Sequence, residues 1–138
     1  MLSQLIYVSN RKPACTQEEI DKILLSCEKN NPPLKITGVL LYSDTKFIQL
    51  VEGDAKVIVA LYDKIKTDTR HSNPIMISYG PIKEKSFPSW HMGTKNIAND
   101  EVNFRTNITA DDKATFNKIL SGKEEDGQKV LSILKKFF

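Results

Sequence analysis

The stretch 36–53, ITGVLLYSDTKFIQLVEG, constrains this chain more than any other. It predicts two strands joined by a short polar turn at Ser43, Asp44 and Thr45. Side chains alternate along a strand. In the second strand Phe47, Gln49 and Val51 therefore share one face, and Ile48 and Leu50 share the other. Both faces are largely apolar, so both sides of the sheet need a cover. Gln49 breaks the pattern as an uncharged amide in the middle of an apolar strand. A buried amide without partners costs roughly 1–3 kcal/mol. Its carbonyl oxygen and its NH2 group each demand a partner.

The flanking segments supply the covers. Residues 2–9 alternate as a strand, with Leu2, Gln4, Ile6 and Val8 on one side and Ser3, Leu5, Tyr7 and Ser9 on the other. Thr16 and Glu19 stand at capping-box spacing. Ile20, Ile23, Leu24 and Cys27 then recur at helical spacing, and Pro32-Pro33 predicts an end near Asn30-Asn31. Gly53-Asp54 opens a second helix, in which Val57, Leu61 and Ile65 form a stripe that Ile58 and Tyr62 widen. It is expected to stop around residues 68–71. A fourth strand is expected over 75–82. A fifth should run through Trp90, His91 and Met92 to about Asn96, with Trp90 and Met92 on one face.

Residues 97–108 read as polar and irregular. Thr109 can cap a helix carrying Phe116, Ile119 and Leu120, and a last helix carries Val130, Leu131, Leu134 and Phe137. Short amphipathic helices do not stand alone. These two are expected to cover the sheet face of Ile6, Val8, Ile48 and Leu50. The order βαββαββ followed by two helices is an α+β, ferredoxin-like arrangement. It has a five-stranded mixed sheet, two crossover helices on one face and two short helices on the other. Fold alone does not decide function.

Composition excludes several classes. A chain of 138 residues is the usual size of one domain. The net charge is +3, and the basic residues are mostly scattered lysines, with arginine only at Arg11, Arg70 and Arg105. That balance argues against nucleic-acid binding. An RNA-binding sheet would expose aromatics on its central strands, whereas Phe47 has Gln49 and Val51 as face-mates. A small acylphosphatase-like enzyme is the alternative on this fold, but the loop at 10–14 offers no Gly-rich cradle for a phosphate. No apolar run approaches the ~20 residues of a membrane helix. The N-terminus lacks the basic region of a secretory signal, so a cytoplasmic protein is expected. Cys15 and Cys27 form no disulfide framework, and His71 and His91 stand too isolated for a metal site.

Six short pieces in order resemble one family, the BLUF domains, blue-light sensors that use FAD. They are LIYVS with Tyr7; the pair Asn30-Asn31; ITG at 36–38; FIQLVEG at 47–53; DTRH at 68–71; and SFPSWHMG at 86–93. The resemblance implies a flavin-binding core over residues 1–96, with the ring between the two crossover helices and its edge against the sheet. Residues 97–138 would be a helical cap and output segment of the same domain. Asn31 would bind the pyrimidine edge of the ring, assisted by Asn30. Tyr7 and Gln49 would be the photochemical relay, and Trp90 and Met92 would report the switch. Asp68 would bond the ring or ribityl chain, and Arg70 would meet the phosphates. Lys64 and Lys85 stand where the family often has arginine. The ring contacts are common to FAD and FMN, so the residues do not separate the two. The expectation is a photoreceptor without catalytic output. It would signal through the fifth strand and the terminal helices to a separate protein effector, or through a homo-oligomer with Phe137 and Phe138 as contacts.

Overall fold

The computed structural model describes residues 1–88, 92–96, 110–121 and 127–136. β1 (Leu2–Arg11) leads through α1 (Gln17–Leu34) to the hairpin of β2 (Thr37–Tyr42) and β3 (Lys46–Asp54). Then come α2 (Ala55–Lys66), β4 (His71–Pro81), β5 (Gly93–Asn96), α3 (Ala110–Leu120) and α4 (Gly127–Lys135). The five strands form one sheet in the order β4-β1-β3-β2-β5. β2 and β5 run parallel and the other pairs antiparallel, so the sheet is mixed.

Both sheet faces are covered, as the hairpin demands. Ile6, Val8, Val39, Leu41, Ile48 and Leu50 form one core with Phe116 and Ile119 of α3 and Val130, Ile133 and Leu134 of α4. On the opposite face Leu5, Tyr7 and Val51 pack against Ile58 and Tyr62 of α2. Leu40, Tyr42 and Phe47 pack there against Ile20 and Leu24 of α1. Gly38 of β2 pairs with Val51 of β3. A Cβ there would run into the Leu50 carbonyl, so no larger residue fits.

Both crossover helices are capped by side chains. Thr16 Oγ1 accepts from the Glu19 N–H at 3.4 Å, and Asp54 Oδ2 accepts from the Lys56 N–H at 3.2 Å. Such caps satisfy backbone donors that the first turn leaves open.

Two element boundaries differ from expectation. α1 does not end at Asn30-Asn31 but runs through Pro32 and Pro33 to Leu34. Proline removes donors, yet its fixed φ is helical, and the final turn closes on other N–H groups. Lys35, in the left-handed region at φ 56, donates to the carbonyls of Asn31 and Pro32, and Ile36 donates to Asn31. β4 begins at His71 rather than at 75 and includes Pro74. β4 is an edge strand, where a missing donor can face solvent. Asn73 at φ 52 and a register shift between Val8 and Asn10 accommodate the irregular start. For the fifth strand, Gly93–Asn96 is regular and Met92 precedes it, while Trp90 and His91 lie outside the described residues. So do Phe137, Phe138, Thr109 and residues 97–108.

Candidate functional site

Antiparallel register places Tyr7 of β1 directly across from Gln49 of β3. Side chains of such a pair lie side by side on one face. The Tyr7 hydroxyl donates to Gln49 Oε1 at 2.5 Å, and Gln49 Nε2 donates to Met92 Sδ at 3.5 Å. Both amide ends are therefore engaged, by a phenol on one side and a thioether on the other. The two bonds are unequal, because sulfur is a weak acceptor. Gln49 is only 6 % exposed, and Tyr7 is equally withdrawn from water.

A cleft of about 180 Å³ opens over this pair. Ile23, Ser26 and Cys27 of α1 form one wall, and Lys64 and Ile65 of α2 form the other. Tyr7, Leu40, Phe47 and Gln49 are its floor, and Asp68, Arg70 and His71 close one end. Burial holds the Tyr7 phenol far above its ordinary pKa, and the nearby Cys27, Tyr62 and Asp68 push the same way. The phenol is thus protonated and a hydrogen-bond donor. Burial also pushes the Cys27 thiol up, partly offset by a hydrogen bond from the Asn31 side chain.

The Asp68 carboxylate is held below its usual range, chiefly by hydrogen bonds from Arg70. Arg70 donates from Nε at 2.9 Å to Oδ1 and from Nη2 at 2.5 Å to Oδ2. The Arg70 backbone N–H adds a third bond to Oδ1 at 2.9 Å. A fork closed on a carboxylate in this way is strongly oriented. His71 bridges β1 and α2: Nδ1 meets Ser9 Oγ at 2.7 Å and Nε2 meets the Ile65 carbonyl at 2.6 Å. A carbonyl can only accept, so Nε2 carries a proton.

The structure brings Tyr7, Gln49, Lys64, Asp68 and Arg70 to one cleft and sets Met92 against Gln49. Asn30 is not among its lining residues: it is exposed on α1 and its Nδ2 donates to Ser26 Oγ at 3.0 Å. Asn31 is buried at 3 % exposure and its side chain hydrogen-bonds Cys27, which does line the cleft. Lys85 donates to the Lys35 carbonyl at 2.6 Å, closing the C-terminus of α1. Ser26, Cys27 and His71 were not singled out as site residues. Ser26 and Cys27 follow Ile23 at i+3 and i+4, where small side chains interrupt the apolar stripe and leave space.

The donor set suits a flat, partly polar aromatic group bearing phosphates. Aliphatic and aromatic walls would meet its faces, Gln49 and Tyr7 its polar edge, and Lys64 and Arg70 its anionic tail. The cleft is smaller than the ~300–1,000 Å³ of ordinary small-molecule sites.

Residues 2–93 match the family model for sensors of blue-light using FAD, BLUF. The chain is 33 % identical over 88 residues to the photoactivated adenylate cyclase subunit beta of Euglena longa, covering 64 % of this chain and 10 % of that protein. It is 29 % identical over 85 residues to the blue light- and temperature-regulated antirepressor BluF of Escherichia coli K12, covering 60 % of this chain and 21 % of that one. The chain spans about a tenth of the length of the cyclase relatives. Among solved structures, the photo-activated state of BlsA has a TM-score of 0.76 at 25 % identity, covering 99 % of this chain and 94 % of that one. The dark state of the BLUF protein BlrB has a TM-score of 0.73 at 26 % identity, covering 96 % and 91 %.

Proposed function

Because the chain belongs to the BLUF family of blue-light sensors that use FAD, we propose that it is a photoreceptor whose switch is the Tyr7–Gln49–Met92 triad. The observation that carries this reading is a buried amide held between a phenol and a thioether at the floor of a cleft between two helices. We assign the flavin to that cleft. Gln49 would meet the ring edge, with Asn31 at the pyrimidine side once Cys27 gives way, and Asn30 assisting. Asp68 would bond the ring or ribityl chain, and Lys64 and Arg70 would take the phosphates. FAD is the family's cofactor; FMN would make the same ring contacts. When bound, the flavin would supply blue-light absorption and would accept and return one electron.

The chain's own residues do the rest. Loss of an electron from the Tyr7 ring makes its phenol strongly acidic. The proton then has one short path, along the hydrogen bond to Gln49 Oε1. An amide that takes a proton on oxygen and gives one up from nitrogen, toward a bound flavin that would already hold the electron, is left neutral with its oxygen now a donor. Rotation about its terminal torsion reaches a similar pattern. Rotation would set the amide oxygen, an acceptor, against Met92 Sδ, and the tautomer would leave only one N–H for that contact; either weakens the hold on the lead-in to β5. Output then passes through β5 and the helices packed on the other face, α3 and α4, to a separate protein or a second copy. This is a sensing role rather than catalytic turnover. The cyclase named in some relatives belongs to those proteins.

The test is optical. Purified protein is expected to be yellow, or to become so with added FAD, and its spectrum should shift to the red under blue light and relax in the dark. Tyr7→Phe and Gln49→Leu should keep the flavin and lose the reversible shift. Asn31→Ala should lower flavin occupancy. Colourless protein that takes up no FAD would defeat the reading, and an unchanged photocycle in either relay variant would defeat the mechanism. A pull-down compared in light and darkness separates an effector from self-association.

A further inference from the structure

Where β1, β3 and β2 lie beneath α3 and α4, the buried sheet face is apolar except for one row. Register aligns Gln4 of β1, Glu52 of β3 and Thr37 of β2 side by side. All three are buried, Glu52 completely. The next rows, Ile6–Leu50–Val39 and Val8–Ile48–Leu41, are wholly apolar. A carboxylate withdrawn from water is strongly disfavoured unless it is paired or hydrogen-bonded. Among the described residues no cation pairs with Glu52. Its partners are amides instead. The Ser86 N–H donates to Oε2 at 2.7 Å, the Phe87 N–H to Oε1 at 2.8 Å, and Gln4 Nε2 to Oε2 at 3.5 Å. Beside it, the Thr37 hydroxyl is buried with no hydrogen-bond partner among the described residues.

We propose that Glu52 is a positioning residue: it latches the Ser86 and Phe87 amides to the central strand, thereby sets where Met92 stands against Gln49, and passes to the Thr37 hydroxyl when that segment shifts. Gln49 and Glu52 lie three positions apart on β3 and on opposite faces, so one strand carries both the amide and the latch. Met92 follows Phe87 by five positions, a span of at most ~18 Å fully extended. Fixing the two amides therefore limits where Met92 can be. Both donors are backbone groups, so the latch fixes the path of the segment whatever its side chains. A rotatable hydroxyl beside the carboxylate offers a replacement donor, and the carboxylate is not stranded when the amides withdraw. The consequence for switching rests on the light-sensor reading above; the latch does not.

The test uses the full chain. Glu52→Gln keeps the size and one acceptor oxygen but turns an NH2 group toward one of the two amides. Hydrogen exchange at the Ser86 and Phe87 amides should quicken at least tenfold by NMR, with the Ile6 and Leu50 amides unchanged. The Met92 methyl resonance should move, although Met92 lies on the other face of the sheet. Phe87 protection that survives, or a stationary Met92 methyl, overturns the latch. Thr37→Val reads it from the other side and serves if Glu52→Gln does not fold: Phe87 exchange should slow about threefold, and an unchanged rate overturns the replacement role. With flavin bound, Glu52→Gln should change the dark-recovery rate at least threefold. A perturbed latch with normal recovery overturns the link to switching, whereas a chain that holds no flavin refutes the sensor reading and leaves the exchange result standing.

Discussion

Removing the Tyr7–Gln49 bond from each side separately, and then from both at once, tests whether the pair is a true buried couple. Tyr7→Phe deletes the hydroxyl that serves Gln49 Oε1, an acceptor on a residue only 6 % exposed. An unsatisfied buried acceptor costs about 1–3 kcal/mol. Gln49→Leu strands the Tyr7 hydroxyl instead, at a similar cost of about 1–3 kcal/mol. Leucine beside Leu40 and Phe47 recovers part of that through apolar burial. The double variant leaves no orphan, and replacing both partners by apolar groups can be nearly neutral. Its destabilisation should therefore fall short of the sum of the singles by about 2–6 kcal/mol, the two orphan penalties that only the singles carry. Urea unfolding measures this, at one fixed flavin concentration because ligand binding adds its own stability. Two singles that add to the double within ~0.5 kcal/mol would show that the hydroxyl and the amide do not depend on one another, and the relay would lose its physical basis.

Other perturbations read different parts of the molecule. Gly38→Ala should destabilise by about 1–3 kcal/mol or more, because the added Cβ meets the backbone carbonyl of Leu50, which cannot swing aside; thermal unfolding would show it. Burial holds the Tyr7 and Tyr62 phenols protonated in the folded chain. Stability should be full below about pH 10, where the unfolded phenols ionise, and should fall as pH rises further. Denaturation across that range should be flatter for Tyr7→Phe. Asp68 runs the other way. Its carboxyl is depressed by Arg70, so its contribution is present above about pH 3.9 and is lost as pH falls through the lower folded value. Asp68→Asn should flatten that acid limb in denaturation monitored against pH, only slightly because the pair is partly exposed.

The hairpin and both covers were legible because a period of two is visible in any strand buried on both sides. Once Phe47, Gln49 and Val51 shared a face, a helical layer over each side followed. The Tyr7–Gln49 pair came from the BLUF resemblance alone; it is the antiparallel register of β1 and β3 that sets the two side chains side by side. Misreadings arose where tertiary position overrules local rules. Pro32-Pro33 stops a helix only if the last turn lacks other donors, and Lys35 and Ile36 supply them. Pro74 bars a strand only if the strand is central, and β4 is at the edge. Glu52 was invisible for a different reason. Its partners are backbone amides 34 and 35 residues away, and no side-chain pattern announces a backbone donor. Arg70, assigned to the phosphates, also closes its fork on Asp68, two positions earlier, a pairing that no spacing in the sequence announced.

That closure bears on how the site can change state. Within the cleft the firm contacts are the phenol–amide bond, the Asp68–Arg70 fork and the two bonds of His71, while the contact between Gln49 and Met92 is weak. β1, which carries Tyr7, lies inside the sheet between β3 and β4. Moving it would break two antiparallel ladders. β5 is at the opposite edge, four residues long, and is joined to the sheet through β2 alone. On the proposed reading a rearranged amide would lose its thioether partner before its phenol, and the strand that follows Met92 has the fewest backbone bonds to give up. Output would then leave through the short parallel strand, because β5 has fewer backbone bonds to give up than the eleven-residue edge strand β4 or the interior β1.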